Sequence, residues 1–240
     1  MQISARGKFL LGKYYDSSGS GMRYFAKNLV SGKVSHANFV DPKYNLVDNR
    51  YDMNISDNGL GIFNLSTKVF IYDFVNNIEI ASKTVTSVTD QGTSFKISPD
   101  GKHYIALISS QPILLDVYKI NGASLEKIYS LESGTTKYQF NPTDPNLITT
   151  FKDKTLSVIQ CEPFALLRKI EFANDEVFMN IDYFNNEILS INANQFIIRS
   201  LNNGNVIKRI TKRTQQYYLY ENYILHNHYI IKNNVMLKTQ

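Results

Sequence analysis

The 240-residue sequence has no tryptophan, one cysteine, six prolines and only 12 glycines. Each shortage excludes something. A single cysteine, Cys161, cannot form an internal disulfide, so this is not a small scaffold held by disulfides. Its place in "LSVIQCEPF", at the end of an apolar strand, reads as a small buried hydrophobe. No run of 18 apolar residues occurs, so no segment reads as a membrane-spanning helix. The N-terminus enters "MQISARGKFLL" directly, without the apolar core or cleavage site of a signal peptide. A cytoplasmic or nuclear location, with no membrane partner, is therefore expected. Nothing matches a phosphate-cradling glycine loop, and "SSGSG" at 17–21 lacks the order of a nucleophile elbow. No stretch carries apolar residues at three- and four-residue spacing over a dozen positions, which excludes helical repeats.

What the sequence does contain is repetition. "FKISPDGKHYIALISS", residues 95–110, alternates Phe95 and Ile97 with Lys96 and Ser98, turns through Pro99-Asp100-Gly101, and re-enters an apolar run. Pro99 presets the φ of a turn and Gly101 supplies freedom where φ is positive. The phrase reads strand, tight turn, strand. Related phrases begin at Met1, Met53, Tyr138, Met179 and Tyr217, and the fourth residues are Ser4, Ser56, Ser98, Asn141, Asp182 and Tyr220. Their spacings are 52, 42, 43, 41 and 38 residues. Periods of about 40–45 residues with several strands each mark propeller blades.

Within each repeat four strands follow, joined by short turns: after "HYIALISS" come "QPILLDVYKI", "NGA" and "SLEKIYSL". The middle strands are almost continuously apolar, as for sheets packed on both faces. The fourth strands carry more charge, as for exposed outer edges. Paired asparagines at 76–77, 185–186, 202–203 and 233–234 stand where glycine is scarce, since Asn also tolerates positive φ. The expected fold is an all-β, six-bladed β-propeller of four-stranded antiparallel blades, one domain over 1–240, with repeats 1–52, 53–94, 95–137, 138–178, 179–216 and 217–240. Five or seven blades, or an open ring, remain alternatives.

On the phrases "FKISPDGKHYIALI", "NPTDPNLITTFKDKTLSVIQ" and "LLRKI" the chain resembles WD-repeat and related β-propeller proteins. The resemblance runs over the whole chain and is generic. With no tryptophan there is no Trp-Asp pair, the nearest counterparts being Tyr72-Asp73 and Leu115-Asp116, and no Gly-His opens a repeat. The resemblance implies a rigid, non-enzymatic platform for protein–protein contacts.

Motifs for chemistry are sparse. His226 and His228 sit two apart without a marked third ligand, so no metal or other cofactor is expected. Gln2, Asn54, Lys96, Gln139 and Asn180 occupy one face of the innermost strands, a ring poor in the carboxylates and histidines of a catalytic channel. Two candidate partner sites stand out. The first repeat is the longest, and its surplus falls in 16–22 and 41–50, which together with the adjoining Arg23 supply Asp16, Ser17, Ser18, Lys43, Tyr44, Asp48 and Arg50. The net charge of +5 is concentrated in "VIKRITKRTQQYYLY", where Lys208, Arg209, Lys212 and Arg213 precede Tyr217 and Tyr218. Basic and aromatic residues together suit an acidic protein or RNA. Three readings follow: a scaffold or adaptor for other proteins within a complex, an RNA-associated propeller of a ribonucleoprotein, and a small-ligand binder or hydrolase at the channel.

Met1 already opens the first strand of the first repeat, leaving no preceding residue to latch the last blade, and only 24 residues remain for the sixth repeat. The seam between the sixth and first repeats is expected to be the weakest part of the ring, unless another polypeptide completes it. Hydrogen exchange tests this: 217–240 and 1–12 should exchange faster than the middle repeats in the isolated chain, and uniform protection would reject it.

Overall fold

A computed structural model describes residues 1–15, 21–38, 53–65, 68–84, 92–108, 114–132 and 137–211. These residues are all-β, forming five four-stranded antiparallel sheets and no helix. Sheet 1 holds β1 (Gln2–Ile3), β2 (Phe9–Tyr15), β3 (Met22–Asn28) and β4 (Val34–His36). Sheet 2 holds β5 (Met53–Ile55), β6 (Leu60–Leu65), β7 (Lys68–Asp73) and β8 (Ile78–Thr84). Sheet 3 holds β9 (Gly92–Ile97), β10 (His103–Ile108), β11 (Leu114–Asn121) and β12 (Ser124–Glu132). Sheet 4 holds β13 (Lys137–Phe140), β14 (Leu147–Lys152), β15 (Thr155–Gln160) and β16 (Ala165–Glu171), and sheet 5 holds β17 (Val177–Asp182), β18 (Glu187–Ile191), β19 (Gln195–Ser200) and β20 (Val206–Thr211). Each sheet is one sequence repeat with its strands in chain order. The sixth repeat, 217–240, lies outside the described residues.

The recurring fourth residue explains the repeat phrase. Ser4 Oγ accepts hydrogen bonds from the Lys8 and Phe9 amides, both at 3.0 Å. Ser56 Oγ accepts from the Leu60 amide at 3.0 Å, and Ser98 Oγ from the His103 amide at 2.9 Å. Asn141 Oδ1 accepts from the Thr143 amide at 2.8 Å, and Asp182 Oδ1 from the Phe184 and Asn185 amides at 3.1 Å. All five caps are buried. A small polar side chain closes the first turn of every described sheet, so the sequence repeats serine or its amide and acid equivalents there. Gly101 has φ +72°, and a Cβ there would meet Asn58 Oδ1 and Leu60 Cδ1 at 2.8 Å, so the turn needs glycine twice over. Asn77 and Asn186 take positive φ, as the paired asparagines suggest; at 202–203 that role falls instead to Gly204, φ +76°.

Contacts gather the chain into two compact units, Met1–Lys169 and Ile170–Gln240. In the first, first strand meets first strand from sheet to sheet: β1 contacts β5, β5 contacts β9, and β9 contacts β13. Asn54 Oδ1 accepts from the Ile97 amide at 3.1 Å and Tyr138 Oη donates to Ser94 O at 3.0 Å, tying these strands together. The Arg6 amide donates to Asp57 Oδ1 at 2.9 Å while its Nε donates to Pro142 O at 2.6 Å, so the first turn of sheet 1 bridges to those of sheets 2 and 4. In the second unit, buried Glu176 pairs with Arg199, accepts from Ser190 Oγ at 3.1 Å, and Arg199 lies over the Phe172 ring at 5.7 Å.

Ser98→Ala removes the acceptor for a buried amide and should lower unfolding free energy by about 1–3 kcal/mol in urea titration. Arg199→Met strips a buried carboxylate of its cation. The expected loss is about 3–5 kcal/mol in the second unit, read by hydrogen exchange in β17–β19.

Candidate functional site

Strand registers make the five sheets comparable position by position. Leu60 pairs with Asp73 in sheet 2 and Leu147 with Gln160 in sheet 4, so Phe63 opposite Phe70 corresponds to Thr150 opposite Ser157. In the same way Tyr24 of β3 corresponds to Leu115 of β11, each four residues before the partner of its sheet's first β2- or β10-strand residue. Between sheets 1 and 2 these positions form an aromatic stack. Tyr24 meets Phe63 with centroids 4.8 Å apart, and Phe63 stacks on Phe70 at 5.1 Å. Between sheets 2 and 3 they hold Ala106 and Asp116, whose carboxylate is bonded by Ser130, Tyr118 and Lys127.

Between sheets 3 and 4 the three aromatics are replaced by Leu115, Thr150 and Ser157, and the space they would fill stays open. The result is a cleft of about 300 Å³. Its deep end rests on Leu115 and Ile159, continuous with the core of Ile105, Phe140 and Ile148. Tyr129 and Phe164 stack to form one wall, centroids 3.4 Å apart. Leu131 and Leu166 line it further out. At the rim stand Lys152 and Lys169, both exposed, with no ion-pair partner among the described residues and no acidic residue in the lining. Phe164 and Leu166, which line the cleft, are 41% and 49% exposed; Leu167, 43% exposed, follows Leu166 on β16 and is not part of the lining.

Beside this cleft, where β10 and β11 begin and end against the turn after β15, Glu162 accepts from Lys119 Nζ at 2.9 Å. His103, buried, has Nε2 3.5 Å from Glu162 Oε1, and neither ring nitrogen makes a hydrogen bond among the described residues. The Lys119 bond, helped by His103, holds the Glu162 carboxyl below its ordinary value of 4.5 against an opposing effect of burial. Next to it, burial pushes the Cys161 thiol up to about 12, with the Glu162 carboxylate adding to the shift. Cys161 is thus the buried apolar residue expected from sequence, not a nucleophile.

The residues singled out from sequence fare differently. Arg23 lies on β3, half-buried and opposite Tyr14. Asp16, Ser17, Ser18, Lys43, Tyr44, Asp48 and Arg50 lie outside the described residues, as do Lys212, Arg213, Tyr217, Tyr218, His226 and His228. Lys208 and Arg209 are exposed on the edge strand β20, facing Ile198 and Ile197. Neighbours on a strand point to opposite sides, so these two charges do not form one patch. Arg209 Nη1 donates to Gln195 Oε1 at 3.2 Å. Gln2, Asn54, Lys96, Gln139 and Asn180 occupy equivalent registers, and Asn54 serves as the inter-sheet acceptor described above. The cleft has no local signature because it is made of missing bulk; the Phe-to-Thr and Phe-to-Ser replacements emerge only when β6 and β14 are aligned on their first paired residues, Leu60 and Leu147, since the turns before them differ in length.

No family model matches the sequence, and no curated protein matches it. The structure matches 945 chains of solved structures, a breadth that belongs to a fold and not to one activity. One, described as "Complex of KlAtg21 with coiled-coil of AgAtg16", superposes with a TM-score of 0.54 at 12% identity. The match covers 81% of this chain and 66% of that one, so this chain spans about two thirds of its length. The likeness concerns the fold alone.

The depressed Glu162 carboxyl gives a signed pH dependence. Its folded value is lowered, so its stabilisation is complete above the unfolded value and is lost as pH falls through the folded one. The urea midpoint of the native chain should drop between pH 5 and pH 3, and Lys119→Met should make that drop shallower. An unchanged slope would remove the pair from the account.

Proposed function

We propose that this chain is a non-enzymatic interaction scaffold, built as a β-propeller of six four-stranded blades, that binds other proteins within a complex. Residues 217–240 supply the sixth blade in this reading. The blade count draws support from the near-regular period of the turn caps and from five sheets each matching one repeat. Its kinship with WD-repeat-like propellers draws on the phrases quoted from the sequence. The observation that carries the functional reading is the exposed apolar pair of Phe164 and Leu166 lining an open cleft. Single exposed apolar residues are ordinary on protein surfaces, but a pair lining a concavity marks a contact surface. Leu166 stands on β16, an outer edge strand of its sheet, where backbone groups are also open to a partner.

The full chain, tagged and purified from its native cells, provides the test. A protein partner that remains in fixed proportion after nuclease treatment is the expected result. Loss of the associated material on nuclease treatment would favour the RNA reading, for which Lys208 and Arg209 are the exposed cations on β20. Isolation of the chain alone, under conditions that preserve known complexes, would overturn the scaffold assignment.

A further inference from the structure

We infer that the cleft between sheets 3 and 4 receives an aromatic side chain of a partner protein, presented by a short linear segment with acidic residues on both sides of it. This rests on the scaffold reading and names the chemistry of its partner. Three features of the cleft select this occupant.

The first is shape. At the boundary of sheets 1 and 2 the corresponding positions are Tyr24, Phe63 and Phe70, and their rings fill the gap between two sheets. Sheets 3 and 4 keep the same registers but offer Leu115, Thr150 and Ser157. The vacancy therefore has the location, between two β-sheets, that a phenyl ring already fits elsewhere in this protein. The second is the wall. Tyr129 and Phe164 present an aromatic pair, and an entering ring adds to it edge-on or offset. The third is charge. Lys152 shares a strand face with Thr150, and Lys169 also lines the cleft, with no carboxylate among the described lining residues. Two ammonium groups with no ion-pair partner among the described residues, over an apolar floor, favour carboxylates that remain at the rim while the ring goes in. A buried aromatic anchor with a polar, charged surround is the usual distribution of energy at a peptide site. Thr150 and Ser157 hydroxyls add hydrogen-bonding groups inside the cleft for the segment's backbone.

The probe is a fluorescein-labelled dodecapeptide with one Phe at its centre, two Asp on each side, and Gly and Ser elsewhere. Comparison peptides replace the Phe by Ala, or all four Asp by Lys, and free 3-phenylpropionate stands for a small-molecule source of the same chemistry. Binding is read by fluorescence anisotropy on the full chain. The acidic Phe peptide should bind at least tenfold more tightly than either comparison peptide and more tightly than 3-phenylpropionate. Ser157→Phe, which writes the sheet 2 residue into sheet 4, should reduce binding at least tenfold while the near-ultraviolet circular dichroism and urea midpoint show a folded protein. Because that variant risks disturbing the sheet boundary, Lys152→Glu with Lys169→Glu provides a second arm at exposed positions. It should weaken the acidic peptide at least tenfold and strengthen the Lys peptide. Equal binding of acidic and basic peptides, binding unaffected by Ser157→Phe in a folded variant, preference for 3-phenylpropionate, or no binding of the acidic Phe peptide at millimolar concentration would each overturn the inference. If any of these occurs while a nuclease-resistant protein partner still co-purifies, the scaffold reading stands and only the cleft's assigned occupant falls.

Discussion

The structure depends first on a hydrogen bond made inside each repeat. A buried serine, asparagine or aspartate accepts the amides of the turn that follows the first strand, at 2.8 to 3.1 Å in the five described sheets. Turn amides buried against a core have no water to bond, so each must be satisfied locally or lose stability of about 1–3 kcal/mol. The cap also sets the register of the hairpin. Since a one-residue slip would exchange the core and outer faces of every following strand, the position of this one side chain governs which residues meet across the sheets.

What meets across the sheets is uneven. Sheets 1 and 2 are joined by interleaved aromatics, with Tyr24, Phe63, Phe70, Tyr72 and Phe74 all buried. Sheets 2 and 3 add a carboxylate bonded from three sides and the stacked rings of Tyr104 and Tyr118, 4.6 Å apart. Sheets 3 and 4 share a smaller core with one buried ring, Phe140, and open outward into the cleft. Full packing would give more stability through dispersion and area burial. Its absence at one boundary, with apolar and basic groups left facing solvent, is what makes that boundary a candidate for binding. Glu162, Lys119 and His103 hold the neighbouring turn of sheet 4 against sheet 3, so the cleft lies beside an ion-paired contact.

The second unit relies on a different device. Its buried charge pair, Glu176 with Arg199, is framed by Ser190, by the carbonyl of Gly204 at 3.2 Å from Arg199 Nη1, and by the Phe172 ring. A guanidinium suits this position because its planar fork bonds carboxylate and carbonyl together and still lies over an aromatic face. The outer strand β20 is almost wholly exposed and carries Lys208 and Arg209, charges that discourage another edge from pairing there. β16 carries Arg168, Lys169 and Glu171 in its second half, while its first half, Ala165–Leu167, is apolar.

The sequence alone determined the elements. Alternation, turn residues and a period near 40 predicted four strands in each of six repeats, and the five repeats within the described residues each form a four-stranded sheet, because strand side chains alternate with period two and tight turns accept few residue types. It also determined that Cys161 is buried and that outer strands carry the charge. Only the tertiary structure decided what faces what. Lys208 and Arg209 read as one basic cluster in the chain, yet a strand sends them to opposite sides. Asn54 read as part of a polar ring, yet its side chain binds the next sheet. The cleft depends on Leu115, Thr150 and Ser157, residues from two repeats whose meeting is set by how sheets pack and not by any local pattern. Local physics fixes the hairpin, whereas a cavity is a property of two surfaces, and no single stretch of sequence contains both.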